Sequence, residues 1–186
     1  MRHNRPINRN DICIHIKLLA KQRGCRTMSK EHIQHTIIGK SNKELIPELI
    51  SLINQGHTVT IGLKGNSMRP FLEDNRDKAI IDSVDSINIG DVVLAEVAKN
   101  KYVVHRIVNI NNDRITLRGD GNIHTEECAR SNIHGKVIGF YRKGRKTMES
   151  TQSFKWKLYS SIWMGLLPIR RYLLYINRQI VKYKNI

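Results

Sequence analysis

Apolar positions change their spacing twice along the chain, and the changes divide it. Over residues 41–55 they recur at helical intervals, with Leu45, Ile46, Leu49, Ile50 and Ile53 on one face. Ser41 or Asn42 is placed to cap that helix, Glu44 lies in its first turn, and Gly56 is placed to stop it. From His57 the period falls to two. Residues 57–63 alternate through Val59, Ile61 and Leu63. Further short runs at 79–81, 92–97, 102–108, 114–117 and 136–141 are apolar or β-branched. Asn, Gly and Asp clusters at 88–91, 99–101, 111–113 and 119–122 supply the turns between them. Short strands joined this way predict a compact antiparallel sheet or barrel. From about Phe154 the helical interval returns. Ile169, Tyr172, Leu173, Ile176, Ile180 and Tyr183 share one face, and Arg171, Arg178 and Lys182 share another. Pro168 suits a first helical position and divides the segment in two. The expected class is mainly β with flanking helices (α+β).

Charge sharpens these boundaries. The formal net charge is +16. Residues 1–27 carry seven Lys/Arg and one acid, a net +6. Residues 151–186 carry seven Lys/Arg and no acid, a net +7. Residues 28–150 hold the remaining eighteen Lys/Arg and fifteen acids, a net +3. The expected organisation is a basic, disordered extension over 1–27, a nearly balanced β domain with one N-terminal helix over 28–150, and a basic, aromatic helical tail over 151–186. Met28 opens the more ordinary sequence and is a candidate start of the chain. Basic ends of this kind suit an anionic surface, or else solvated tails that aid solubility.

Cys13, Cys25 and Cys128 are odd in number and lack the paired spacing of a metal site, so neither a disulfide framework nor a metal is expected. No stretch approaches the roughly 20 apolar residues of a membrane-spanning helix. The apolar run from Ile12 to Ala20 is broken by His15 and Lys17 and lacks a small-residue cleavage site, which argues against a secretory leader.

Candidate chemistry centres on Lys64-Gly65-Asn66-Ser67-Met68-Arg69-Pro70-Phe71-Leu72. Ser67 falls just past a predicted strand, between a glycine that tolerates unusual dihedrals and a proline that fixes one. Such a turn holds a hydroxyl at a rigid point beside backbone N–H groups, as a nucleophile next to an oxyanion site requires. On Gly-x-Ser alone, a serine that merely bonds its own turn is the favoured reading, because serine is common in turns. His105 interrupts an otherwise apolar strand. A neutral imidazole there is able to take a proton from a hydroxyl, although a lone strand histidine is more often structural. Asp120, in Arg118-Gly119-Asp120-Gly121-Asn122, is the candidate for orienting the ring. On spacing alone, plain turn chemistry is the favoured reading of Asp120, because Asp-Gly is a strong hairpin signal.

Five ordered segments carry a resemblance. These are Gly65-Asn66-Ser67-Met68-Arg69-Pro70, Ile89-Gly90-Asp91-Val92-Val93, Val104-His105-Arg106-Ile107-Val108, Arg118-Gly119-Asp120-Gly121-Asn122 and Gly135-Lys136-Val137-Ile138-Gly139. Over roughly residues 57–141 the chain resembles the type I signal peptidases. The likeness is greatest to the branch with a Ser–His pair, found in archaea, the endoplasmic reticulum and some bacteria. The resemblance implies a β-rich peptidase fold shared with self-cleaving repressors, and serine endopeptidase chemistry through an acyl-enzyme without a cofactor. It makes Ser67 the nucleophile, His105 the general base and Asp120 the group that orients or stabilises His105. It places Met68 and Pro70 at the peptide substrate. Three departures stand out. No N-terminal membrane anchor is read before the serine segment. Glu126, with Glu127 beside it, stands where many relatives carry a second acid. Gly65 replaces a hydroxyl residue found two positions before the nucleophile in many bacterial members, so the oxyanion hole would rest on backbone N–H groups, including that of Ser67, aided by Asn66.

The expected substrate is a leader peptide, a preprotein or a related peptide. A self-cleaving repressor relative and an inactive binding protein on the same fold are the alternatives. The former needs a DNA-binding domain, and residues 1–56 show no helix-turn-helix pattern. No finger spacing or aromatic-basic groove supports nucleic acid as a partner. The basic helical tail, with Trp156 and Trp163 near Lys155 and Lys157, reads either as a membrane-interfacial segment meeting an anionic surface over 155–184, or as a tail packing on the sheet or on a second subunit. The expected location is the bacterial cytoplasm or the peripheral face of the inner membrane.

Overall fold

The computed structural model describes residues 16–17, 35–36, 42–145, 147–166 and 169–184. The expected disorder of 1–27 and the role of Met28 fall outside these residues, apart from a two-residue strand. That strand, β1 (Ile16–Lys17), pairs with β2 (His35–Thr36) in a small separate sheet.

Helix α1 spans Asn42–Asn54 and buries Leu45, Ile46, Leu49 and Ile53. It ends as the sequence predicts. Gly56 adopts φ +84°, the Gly56 N–H donates to the Ile53 carbonyl (2.9 Å), and the His57 N–H donates to the Leu52 carbonyl (3.0 Å). These paired bonds close the last carbonyls of the helix. Pro47 is the sixth residue of this helix, so its missing N–H removes one intrahelical bond, to the Lys43 carbonyl.

Eight antiparallel strands form the main sheet. They are β3 (Val59–Gly62), β4 (Lys78–Asp82), β5 (Val92–Ala98), β6 (Lys101–Asn111), β7 (Arg114–Arg118), β8 (Glu126–Ala129), β9 (Ile133–Tyr141) and β10 (Glu149–Ser150). The order is β3-β4-β9-β5-β6-β7-β8, so the sheet stays open and does not close into a barrel. β9 pairs with β4 along one edge. Its other edge meets β5 near Gly135 and Lys136, then β10 at Gly139 and Phe140. Gly135 is required at this crossing, because a Cβ there would run into Ile81 and come within 3.2 Å of Ile53. β8 and β10 were not among the predicted strands. Glu-Glu-Cys-Ala buries only Cys128, so an edge strand of this kind carries almost no apolar alternation.

The continuous apolar run of β5 has a plain cause. Val92 and Leu94 join one core, with α1, Phe71, Phe140, Trp156 and Trp163. Val93 and Ala95 join a second core, with Ile107, Ile115, Leu117 and Cys128. Successive side chains point to opposite faces, so a strand covered on both faces must be apolar throughout.

Two helices follow, α2 (Phe154–Gly165) and α3 (Arg170–Lys184). Ser153 caps α2, accepting from the Trp156 N–H at 3.2 Å. Both helices dock on the first core, through Trp156, Trp163 and Leu174. The tryptophans expected at a membrane interface are therefore core residues. Of the apolar residues predicted to share one face of this tail, Ile169, Tyr172, Ile176 and Ile180 remain exposed and Leu173 packs partly on the core, while the Tyr183 side chain lies outside the described residues.

The loop between β3 and β4 is tied to the sheet by Asp77, which is 1% exposed. Its carboxylate accepts from the Glu73 N–H (3.0 Å) and from Arg76 Nε and Nη2 (2.8 and 2.7 Å). Burial pushes the Asp77 carboxyl up, but the Arg76 and Glu73 donors outweigh it and hold the group below its ordinary value. A lowered folded value means the stabilisation is complete above the ordinary carboxylate range and is lost as pH falls through the folded value. Asp77→Asn should cost about 1–3 kcal/mol at neutral pH. In urea titrations the difference from wild type should shrink progressively below about pH 4.

Candidate active site

The serine segment makes a tight turn directly after β3. Gly65 takes φ +93° and donates its N–H to Asp74 Oδ1 (2.8 Å). The Arg69 N–H donates to the Asn66 carbonyl (3.2 Å), the Leu72 N–H donates to the Met68 carbonyl (3.0 Å), and the Arg69–Pro70 peptide is cis. Among the described residues, the N–H groups of Asn66, Ser67 and Met68 have no acceptor. Three neighbours fix the turn from below. Met68, Phe71 and Leu72 are 4%, 1% and 1% exposed and belong to the first core. Met68, expected at the substrate, is thus a core side chain, because the turn needs an apolar anchor under Ser67. Pro70 is half-buried.

The turn after β7 closes against the serine turn from the other side. The Gly121 N–H donates to the Ser67 carbonyl (2.7 Å), and the Asn122 N–H donates to the Gly119 carbonyl (3.0 Å). Both glycines are required by this approach. A Cβ on Gly121 would run into the Asn66 carbonyl oxygen and come within 3.2 Å of the Arg69 carbonyl oxygen. A Cβ on Gly119 would run into the Ser67 carbonyl oxygen and come within 3.0 Å of His105 Nε2. The Ser67 backbone and the His105 ring therefore meet at one glycine. No hydrogen bond joins Ser67 Oγ to the ring.

His105 lies in the middle of β6, opposite Val93, and is 4% exposed. Its Nδ1 is 3.0 Å from Glu126 Oε2, a close contact without the alignment of a hydrogen bond. The other oxygen, Glu126 Oε1, is 2.7 Å from Lys101 Nζ. Burial lowers the His105 pKa below its usual value, while the Glu126 carboxylate and, less strongly, Asp120 push it back up. The net direction is down, so the ring is neutral at neutral pH. With Nδ1 against a carboxylate, the environment favours the Nδ1–H tautomer and leaves Nε2 as the acceptor, on the side of Ser67.

Asp120 does not hold this imidazole. It is 1% exposed and accepts from Arg106 Nε (2.9 Å) and Nη2 (2.6 Å), with Arg170 Nη2 3.5 Å from Oδ1. Its backbone carbonyl accepts from Arg170 Nη2 (2.7 Å) and Trp163 Nε1 (3.1 Å). Arg106 also donates through Nη1 to the Ser160 hydroxyl (2.8 Å) and to the Gly90 carbonyl (2.9 Å). Burial pulls the Arg170 guanidinium down to about 10, with Asp120 drawing it back up, so it stays charged at neutral pH. The reason for the exchange of roles is strand alternation. His105 and Arg106 are consecutive, so they point to opposite faces of β6. Glu126 and the glycine turn meet the histidine, while α2 and α3 meet the arginine. Arg106, Arg170 and Lys101 were not singled out from sequence, and Trp163 was read only as part of the aromatic tail. Only Arg106 had a local signal, a charge within an apolar strand beside His105.

Among the described residues, no group of three or more His, Cys, Asp or Glu is arranged to hold a metal ion. No described helix is long and apolar enough to cross a membrane.

The fold is a mainly antiparallel, open β sheet with flanking helices. The family model described as Peptidase S24-like matches residues 18–139, more than half of the chain, and the chain belongs to that family. No curated protein matches it.

Replacing Asp120 by Ala would leave Arg106 and Arg170 buried without their carboxylate. The expected cost is about 3–5 kcal/mol, read from the urea midpoint. A variant that kept the wild-type midpoint while losing activity would return Asp120 to the histidine.

Proposed function

We propose that this protein is a serine endopeptidase of the Ser–His kind, with Ser67 as nucleophile and His105 as general base, acting on leader peptides or related peptides. The observation that carries the reading is the meeting of His105 Nε2 and the Ser67 backbone at Gly119, with the opposite ring nitrogen 3.0 Å from Glu126. Family membership supports the serine peptidase class. The Ser–His assignment rests on His105, which stands where the bacterial signal-peptidase branch carries a lysine base.

In this mechanism Ser67 Oγ bonds to the scissile carbonyl carbon as His105 Nε2 takes its proton. The step needs the Ser67 hydroxyl within hydrogen-bond reach of Nε2, a contact that in unliganded enzymes is often long and tightens only when substrate binds. The oxyanion accepts from backbone N–H groups of the turn, including that of Ser67, with the Asn66 side chain nearby. The C–N bond then breaks and the imidazolium gives its proton to the leaving amine. Water attacks the acyl ester, His105 takes the proton, and the C–O bond breaks with return of the proton to Ser67 Oγ. Glu126, held by Lys101, acts as the positioning residue for the ring.

Peptide-library cleavage should fall roughly 10⁴–10⁶-fold in Ser67→Ala and in His105→Ala. A fluorophosphonate probe should label wild type and not Ser67→Ala. Equal cleavage by all three proteins would remove the enzymatic reading, and cleavage confined to the chain itself would move it to the self-cleaving class.

Removing the Glu126 charge has a defined sign, because the carboxylate raises the His105 pKa. In Glu126→Gln the acid limb of kcat/KM should move to lower pH, and the plateau rate should fall by about 10²-fold or more through loss of ring orientation. A pH–rate profile with an unmoved limb would separate Glu126 from the histidine.

A further inference from the structure

Among the described residues, nine of the twelve large hydrophobic side chains that stand exposed lie between Phe154 and Ile180. They are ordered. Phe154, Leu158 and Ile162 repeat every four residues on α2, and Tyr172, Ile176 and Ile180 repeat on α3. The inward sides of the same helices are already occupied, by Trp156, Ser160 and Trp163 on α2 and by Arg170 and Leu174 on α3. These stripes are therefore second faces of docked helices and do not belong to the core.

Charge identifies the occupant. Residues 151–186 contain seven Lys/Arg and no acid, and Lys155, Lys157 and Arg171 are exposed beside the stripes. A second copy docking through the same face would set cation against cation. Helices of 12 and 15 residues are too short to span a bilayer of about 30 Å. Apolar stripes bordered by Lys and Arg suit a headgroup layer of opposite charge. We infer that the outer faces of α2 and α3 dock on an anionic lipid surface. This inference stands independently of the catalytic assignment. Its consequence is positional. The inner side of α2 packs on Phe71, four residues beyond Ser67, through Trp156, Tyr159 and Trp163. Docking would hold the serine turn about one helix diameter, roughly 10–12 Å, from the lipid.

The test uses the full chain with sedimented vesicles of phosphatidylcholine, with and without phosphatidylglycerol. Binding should require phosphatidylglycerol and weaken as salt rises. Two variants read the face directly, Lys155→Glu/Lys157→Glu/Arg171→Glu and Ile162→Ser/Ile176→Ser. Each should lower vesicle affinity by at least about tenfold. Thermal melts matching wild type would show that both variants still fold, as expected for exposed positions. Wild-type binding by both variants would overturn the inference and assign the binding to the basic residues of 1–27. Equal binding to both vesicle types, or none to either, would overturn it as well. So would a concentration-dependent dimer in sedimentation velocity that Ile162→Ser/Ile176→Ser abolishes in a protein that ignores vesicles.

Discussion

The ion cluster of Arg106, Asp120 and Arg170 is the constraint on which the rest of the site depends. Two arginines and an aspartate, each no more than 4% exposed, have left water. Such charges are tolerated only where geometry and additional hydrogen bonds offset their desolvation. Here they do. Arg106 meets the carboxylate with two donors, Arg170 meets the same residue's backbone carbonyl, and Ser160 and Gly90 accept from the remaining side of Arg106. The cluster therefore anchors the turn over residues 118–122 to β6 and to both C-terminal helices.

That anchoring has a direct geometric consequence. Gly119 and Gly121 flank Asp120, and each bears on the backbone of the serine turn. Holding Asp120 still holds both glycines against Asn66 and Ser67. The same turn passes His105 Nε2 on its other side. An aspartate that never touches the imidazole thus governs how far the serine backbone lies from it. Work normally divided between a sheet and a catalytic acid is shared here between β6, whose two faces take separate tasks, and a helical tail that lies outside the span matched by the family.

The histidine environment follows from the opposite face. Burial alone would keep the ring neutral, and the nearby Glu126 carboxylate moderates that effect. Lys101 engages the second oxygen of Glu126 at 2.7 Å. Lys101 and His105 are four positions apart on β6, and side chains four apart on a strand share a face, so one carboxylate from β8 bridges both.

Much of this was legible along the chain. The helix from Asn42 and its stop at Gly56 follow from local spacing and from one residue able to adopt positive φ. Six of the strands announce themselves by alternation or by apolar runs. Ser67 and His105 stand out as candidates because the segments around them have a characteristic order. The remainder lay in long-range contacts. β8 is too polar to signal itself, and its place at the sheet edge comes from pairing with β7. The partner of Asp120 was not readable, because an aspartate in an Asp-Gly turn looks the same whether it meets an imidazole, a guanidinium or water. Which face of the last two helices would be covered was likewise undetermined, since tryptophans and a regular apolar stripe compete for one core. Local sequence set the conformations each segment favours through spacing, capping and glycine freedom. Tertiary structure decided which buried charges met, because burial is a property of the assembled chain and the cost of an unpaired charge arises only once water has gone.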